Sequence, residues 1–381
     1  MLIFFVQETP QQILTQSVPD ISPAAAAQLP SVHHIRRNIR RQRQATNNPL
    51  PVPPTRADIT IPESYQLTLD GQKFLLHDAG GDDRMLLFST QSNLQLLQEC
   101  EHWFADGTFK TSPPLYEQLY TIHGLTSDRT IPCVYALLAN KRQVTYTSLF
   151  KQLLELNHHL SPSTIMVDFE RAAINSALEV FPDVTVKGCF YHLTQNVYRK
   201  IQQCGLQQQY QSDSDFAHHL KMLPALAFVP TDSVVSVFEE LSEAMPADAQ
   251  PVLDYFEDIY IGRPQLRGRR RPATFPIPLW NMYTRAEEEL PRTNNSVEGW
   301  HRRIQSSIGC YNPNFWKFLK LLQSEQALQK VHCTQLLAGH APEPPRKRYA
   351  DCNQRIVRLV GQYQERTNME YLRGIAYNIG L

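Results

Sequence analysis

The chain of 381 residues has no net charge to spend, with Lys+Arg and Asp+Glu both at 37. A uniformly basic coat for nucleic acid is excluded, so any DNA contact must come from local clusters. No apolar run approaches the ~20 residues of a membrane-spanning helix. The apolar opening Met1–Val6 is short and has no basic lead-in, with Gln7 and Glu8 following at once, so it does not read as a signal peptide. Cysteine is sparse: Cys100, Cys133, Cys189, Cys204, Cys310, Cys333 and Cys352 stand far apart, and no C-x-x-C occurs. That odd count and wide spacing exclude a disulfide framework and a zinc ribbon, and favour a reducing compartment. No internal repeat of fixed period is visible.

Acidic residues are also missing between Asp20 and Asp58, where Arg36, Arg37, Arg40, Arg41, Arg43 and Arg56 all lie. Nine of the 27 prolines fall between Pro10 and Pro62. Residues 1–59 therefore read as a basic, proline-rich arm, with a short helix expected over Ser31–Gln44 and broken by the Pro49–Pro54 run. A second basic stretch, Arg263, Arg267, Arg269, Arg270 and Arg271, lies in a proline-bearing loop. Both clusters are expected to contact DNA phosphates; a solvated loop or an import signal is the alternative.

Most of the chain has the composition of a folded protein, 42% hydrophobic and 19% charged. Tyr65–Leu69, Phe74–Leu76, Met85–Phe88, Trp103–Phe109, Leu119–Leu125 and Ile131–Leu138 read as strands. The period then changes. Tyr146, Leu149, Phe150, Leu153 and Leu154 mark a helix, Thr164–Val167 a strand, Ile174, Ala177, Leu178 and Phe181 a helix, and Val184–Phe190 a strand. This order predicts an α/β sheet with an antiparallel section and parallel crossovers. Beyond residue 193 the pattern is almost wholly helical.

Three segments carry acids at telling positions. Asp106 stands in Trp103-Phe-Ala-Asp-Gly; by local rules Asp-Gly is a hairpin turn, and the other reading keeps Asp106 on a strand. Asp168 ends the apolar run Thr164–Val167, either as a helix cap or as a carboxylate at the crevice end of a sheet. Glu298 lies off the apolar stripe Val297, Trp300, Ile304 and Ile308; it suits a capping box with Asn295 or an ion pair with Arg302. Together they supply two strand-borne aspartates and a helical glutamate. Hard carboxylate oxygens of that kind suit Mg²⁺, and two ions ~3.5–4 Å apart serve phosphoryl transfer.

At this point the sequence resembles a known family. Trp103–Lys110, Leu119–Gly124, Val134–Lys141, Ile165–Ala177, Lys187–Asn196 and Pro291–Arg303 are similar to the transposase domain of Mutator-like elements (the MULE domain), over about residues 60–375. The resemblance implies a ribonuclease-H-like mixed sheet flanked by helices, with a mostly helical insertion before the Glu-bearing helix. It implies an Asp-Asp-Glu triad on Asp106, Asp168 and Glu298 and overrides the hairpin at Asp106. On that frame 60–192 is the first part of the catalytic domain, 193–290 the insertion, 291–345 the remainder and 346–381 a helical tail. The family's Cys-x-x-His element falls on Cys189 and His192. The bland reading there is a buried cysteine and a helix-start histidine; zinc is not expected, since no second pair has matching spacing; the remaining reading is a His192 that contacts DNA or the scissile phosphate.

The resemblance further implies DNA strand cleavage and transfer with two Mg²⁺ or Mn²⁺ ions, and double-stranded DNA as partner, both transposon ends and target. A homo-oligomer, no membrane, no small-molecule cofactor and a nuclear location complete the expectation. No finger of the FLYWCH type, often found with this family, precedes residue 60, so end recognition is expected elsewhere or the copy is truncated. The alternative function is a DNA-binding or regulatory protein that keeps the fold without cutting.

Overall fold

The computed structural model describes residues 14–15, 22–47, 50–51, 53–265, 269–340 and 347–380. Parts of the expected N-terminal arm, Arg267, and the side chains of Arg40 and Arg43 lie outside the described residues.

Seven strands form one mixed sheet: β1 Leu75–Asp78, β2 Leu86–Phe88, β3 His102–Thr108, β4 Gln118–Thr126, β5 Arg129–Leu138, β6 Thr164–Val167 and β7 Thr185–Gly188. Their order is β1-β2-β5-β4-β3-β6-β7. The first five strands pair antiparallel, while β6 joins β3 in parallel and β7 joins β6 in parallel. The β4–β5 hairpin turns on Ser127 and Asp128, both at positive φ (46° and 59°), the backbone a two-residue primed turn requires. Asp106-Gly107 makes no turn: it sits mid-strand, opposite Thr121 and Tyr120.

Alternation on the strands sorts the side chains to two faces. Trp103, Ala105, Tyr120, Ile122, Val134, Ala136, Ile165 and Val167 share one buried cluster with the helices α1 Gln91–Glu99, α2 Gln143–Leu156 and α3 Arg171–Val180. The opposite face carries Phe104 and Met166, packed on α4 Phe190–Gln203 and the helices that follow it. Further along that face Leu119, Tyr135 and Leu137 meet Trp300, Ile304 and Ile308 of α5 Asn295–Ile308 and the start of α6 Phe315–Leu337. Helices thus cover both faces of the sheet.

The region between α4 and α5 is helical, apart from the arginine-bearing segment around 262–275. The helices Lys347–Gly361 and Asn368–Ala376 pack into the same cluster through Ile356, Val360, Tyr371 and Leu372. No helix of the described residues is long and apolar enough to cross a membrane.

Two local expectations change. Tyr65–Leu69 is not a strand: Glu63–Gln66 forms a helical turn, and only Leu67 makes a bridge, to Lys73. Pro62 starts that turn, and the Gln66 side chain donates to the Ile61 carbonyl. The helix α1 was not anticipated, although Thr90 caps it through the Asn93 N–H and Leu94 and Leu97 form its buried stripe.

Candidate active site

Parallel pairing links the strands of the two aspartates. On the parallel pair β3/β6, Phe104 stands opposite Met166, an offset of 166 − 104 = 62. Asp106 and Asp168 differ by the same 62, each two residues beyond that last paired position. Adjacent strands are ~4.8 Å apart. Asp168 falls just past β6, and the residue capping α3 is Glu170, whose side chain makes no cap hydrogen bond. Asp168 is half-buried at that strand end.

Burial pushes the Asp168 carboxyl up to about 7, and the negative charges of Asp106 and Glu170 add to the shift. Lys141 opposes it. Glu170 is held by Lys141 at 3.0 Å and accepts from the Tyr146 hydroxyl at 3.0 Å, which in turn accepts from Gln118 at 2.7 Å.

Glu298 approaches from the first turn of α5. The cap of that helix is Asn294, without a side-chain cap bond, so the capping box read from Asn295 is absent. Glu298 instead lies 3.7 Å from His192 Nε2. Burial raises its carboxyl, the His192 charge opposes that, and Asp106 raises it further. Asp106 thus acts on both other acids.

Asp106 is only 7% exposed. The Gly107 N–H donates to it at 2.8 Å, and His301 Nδ1 lies 3.5 Å from its other oxygen. His301 Nε2 is 3.1 Å from the Thr121 hydroxyl, and His123 Nε2 is also 3.1 Å from that hydroxyl. Burial holds His123 well below the ordinary histidine range, so it is neutral. With His123 donating to Thr121 and Thr121 donating to His301, the His301 Nδ1 proton faces Asp106; the Thr121 hydroxyl also lies 3.4 Å from the Asp106 carbonyl, a second acceptor for its proton.

Cys189 is wholly buried, and its backbone N–H donates to Val167 at 2.8 Å. Burial pushes its thiol up to about 12 although backbone N–H groups of Asn294, His192 and Tyr191 pull the other way. The Asn294 N–H donates to Cys189 Sγ at 3.1 Å, and its side-chain NH₂ donates to the Ala105 carbonyl at 3.3 Å. Asn294 and Cys189 therefore stitch the start of α5 to β3 and the end of β7. Asn294 Oδ1 and His192 Nδ1 are buried with no hydrogen-bond partner among the described residues.

The sequence reading passed over His301, Asn294 and Glu170. Their signals were local: His301 is three residues past Glu298 on the same helix, Asn294 is four before it, and Glu170 is two past Asp168.

The expected basic clusters fare unevenly. Arg270 pairs with Glu239 at 2.6 Å and Glu257 at 2.8 Å, while Arg263 and Arg271 both pair with Asp258, at 2.6 and 3.0 Å. Arg269 is exposed. In the helix Val32–Asn47, Arg37 and Arg41 are exposed and Arg36 is half-buried.

Residues 102–196 match the family model of the MULE transposase domain. The match spans Asp106, Asp168, Cys189 and His192; Glu298 lies outside it, and it is narrower than the resemblance read over 60–375. No curated protein matches the chain.

The donor chemistry of the three carboxylates suits a hard divalent cation: oxygen ligands, two carboxyls already raised by burial and mutual repulsion, and unpartnered polar atoms beside them. Yet among the described residues no group of three or more His, Cys, Asp or Glu stands gathered as a ready metal site.

Proposed function

We propose that this chain is a transposase-type enzyme that cuts and joins DNA strands, built on a ribonuclease-H-like fold and derived from a Mutator-like element or a domesticated copy. The observation that supports the reading is that Asp106, on β3, and Asp168, just past the end of the parallel strand β6, lie in the matched domain, with the charge of Asp106 raising both the Asp168 and the Glu298 carboxyls. Double-stranded DNA is the substrate class and the nucleus the expected place of action.

Asp106, Asp168 and Glu298 would hold the divalent ions. When bound there, such ions supply the Lewis acidity that activates an attacking oxygen and stabilises the departing one. The protein's own residues set the stage. The Gly107 N–H and His301 fix the orientation of Asp106. The Lys141–Glu170–Tyr146 cluster fixes the strand end beside Asp168. His192, next to Glu298, offers a donor to a phosphate oxygen at the scissile bond. Binding energy for the duplex comes from exposed cations such as Arg302, which faces solvent beside Glu298.

A strand-cleavage assay with purified protein on duplex DNA, with and without Mg²⁺ or Mn²⁺, tests the proposal. Metal-dependent nicking is expected; DNA binding without cleavage under any divalent ion would point to the non-catalytic alternative.

A further inference from the structure

Two aromatic rings at and bonded to the end of β3 are left in solvent, and each has a lysine over its face. Phe109, the residue after β3, is 47% exposed, with Lys141 Nζ 4.4 Å from its ring centre. Tyr311 is 69% exposed, with Lys110 Nζ 5.8 Å from its ring centre. Single exposed apolar residues are ordinary. Here two exposed rings each carry an ammonium group, one on residue 109 and one on the loop hydrogen-bonded to residue 110.

The support is specific. The Asn312 N–H donates to the Lys110 carbonyl at 3.0 Å, tying the loop that carries Tyr311 to the end of β3. Thr111 Oγ1 donates to Gln305 of α5 at 3.1 Å. The Tyr311 loop holds two left-handed residues, Gly309 and Asn312, so its path is set rather than slack. Both catalytic elements, β3 and α5, therefore run into this platform.

We infer that Phe109 and Tyr311 stack unpaired nucleobases of the DNA strand that flanks the scissile bond. The inference rests on the proposed DNA-cleaving function and adds the form of DNA that the site takes. In a duplex, base faces are hidden by their neighbours, so an exposed ring can stack only on a base that is unpaired or extruded. The charge suits a nucleic acid strand: Lys110 makes no ion pair among the described residues, and Lys141 lies between the Phe109 ring and the Glu170 carboxylate. The position suits it as well. Phe109 is three residues beyond Asp106 and Lys110 four, both in the bend that follows β3, within reach of a strand whose phosphate sits at the carboxylates.

The test is binding by the full chain without divalent metal, so that cleavage plays no part. Fluorescence anisotropy compares a short oligodeoxythymidylate with a strand of equal length carrying abasic sites. Wild type is expected to prefer the base-bearing strand. Phe109→Leu and Tyr311→Leu should each weaken that binding about 5- to 100-fold and leave the abasic strand unchanged, while Tyr311→Phe keeps the preference. Equal wild-type affinity for the two strands, or equal loss on both in the Leu variants, overturns the inference. Preference for bases without any metal-dependent cleavage would sink the catalytic reading alone, and cleavage without preference would sink the stacking alone.

Discussion

Asp168 titrates where most aspartates are already ionised. Its folded carboxyl, pushed up to about 7 by burial and by Asp106 and Glu170, holds a proton more tightly than the unfolded chain does, whose aspartates titrate near 3.9. The folded state therefore binds more protons between those values, and stability falls as pH rises through that window. Metal-free protein should melt at progressively lower temperature from about pH 5 to about pH 7.5. Asp168→Asn should flatten the profile, as followed by circular dichroism; an unchanged slope would remove Asp168 from the repelling cluster. For Glu298 the competing roles separate cleanly. A capping or ion-pairing glutamate would cost about 0.5–2 kcal/mol on replacement. A glutamate held against like charge should leave the fold of Glu298→Gln unchanged or slightly stabilised, and the variant should lose strand cleavage. Cys189 belongs to packing: its neutral thiol accepts the Asn294 N–H. Metal analysis of the purified protein should find no zinc, stoichiometric zinc that disappears in Cys189→Ser would instead support a metal site, and Cys189→Ala should loosen the start of α5.

At the scale of elements, the arginine segment after residue 262 shows what sequence hides. Read alone, Arg269, Arg270 and Arg271 are one basic cluster. In the fold Arg270 is bound to Glu239, Glu257 and the Gly262 carbonyl, and Arg271 to Asp258. Glu257 and Asp258 lie in the turn just before the segment and Glu239 in a separate helix, and it is the fold of the segment back on them that makes the pairs. Arg270→Gln should accordingly cost about 1–3 kcal/mol in chemical denaturation and leave the salt dependence of DNA binding untouched. Arg269→Gln should flatten that salt slope without altering stability; the reverse pattern would restore the whole cluster as DNA contact. Periodicity served well where one face is buried: Thr164–Val167 is β6 as read, and the helix stripes at Tyr146 and Ile174 are real. It failed at Tyr65–Leu69, where Pro62 and local side-chain bonds outweigh strand composition. Asp106-Gly107 misled by local turn rules because β3 runs on through both residues in register with β4, and a turn there would break that ladder.

At the scale of the molecule, the site draws on three distant stretches, with 168 − 106 = 62 and 298 − 168 = 130 residues between the acids. The acids themselves were legible as residue types in suggestive places. What relates two of them is the parallel pairing of β3 and β6, and what aims the third is Val297 in the helical cluster and Trp300 against the sheet. Neither follows from periodicity. The histidine chain behind Asp106 was illegible for the same reason, since His123, Thr121 and His301 meet only once α5 lies on β4. The most direct check of the account is DNA strand cleavage by wild type and by Asp106→Asn, Asp168→Asn and Glu298→Gln, each run beside a thermal melt with and without Mg²⁺. The account predicts that wild type cleaves only with metal and melts higher when Mg²⁺ is added, and that every variant stays folded, cleaves nothing and loses most of that rise. Cleavage that survives any of the three substitutions, or a wild-type melt indifferent to Mg²⁺, would contradict it.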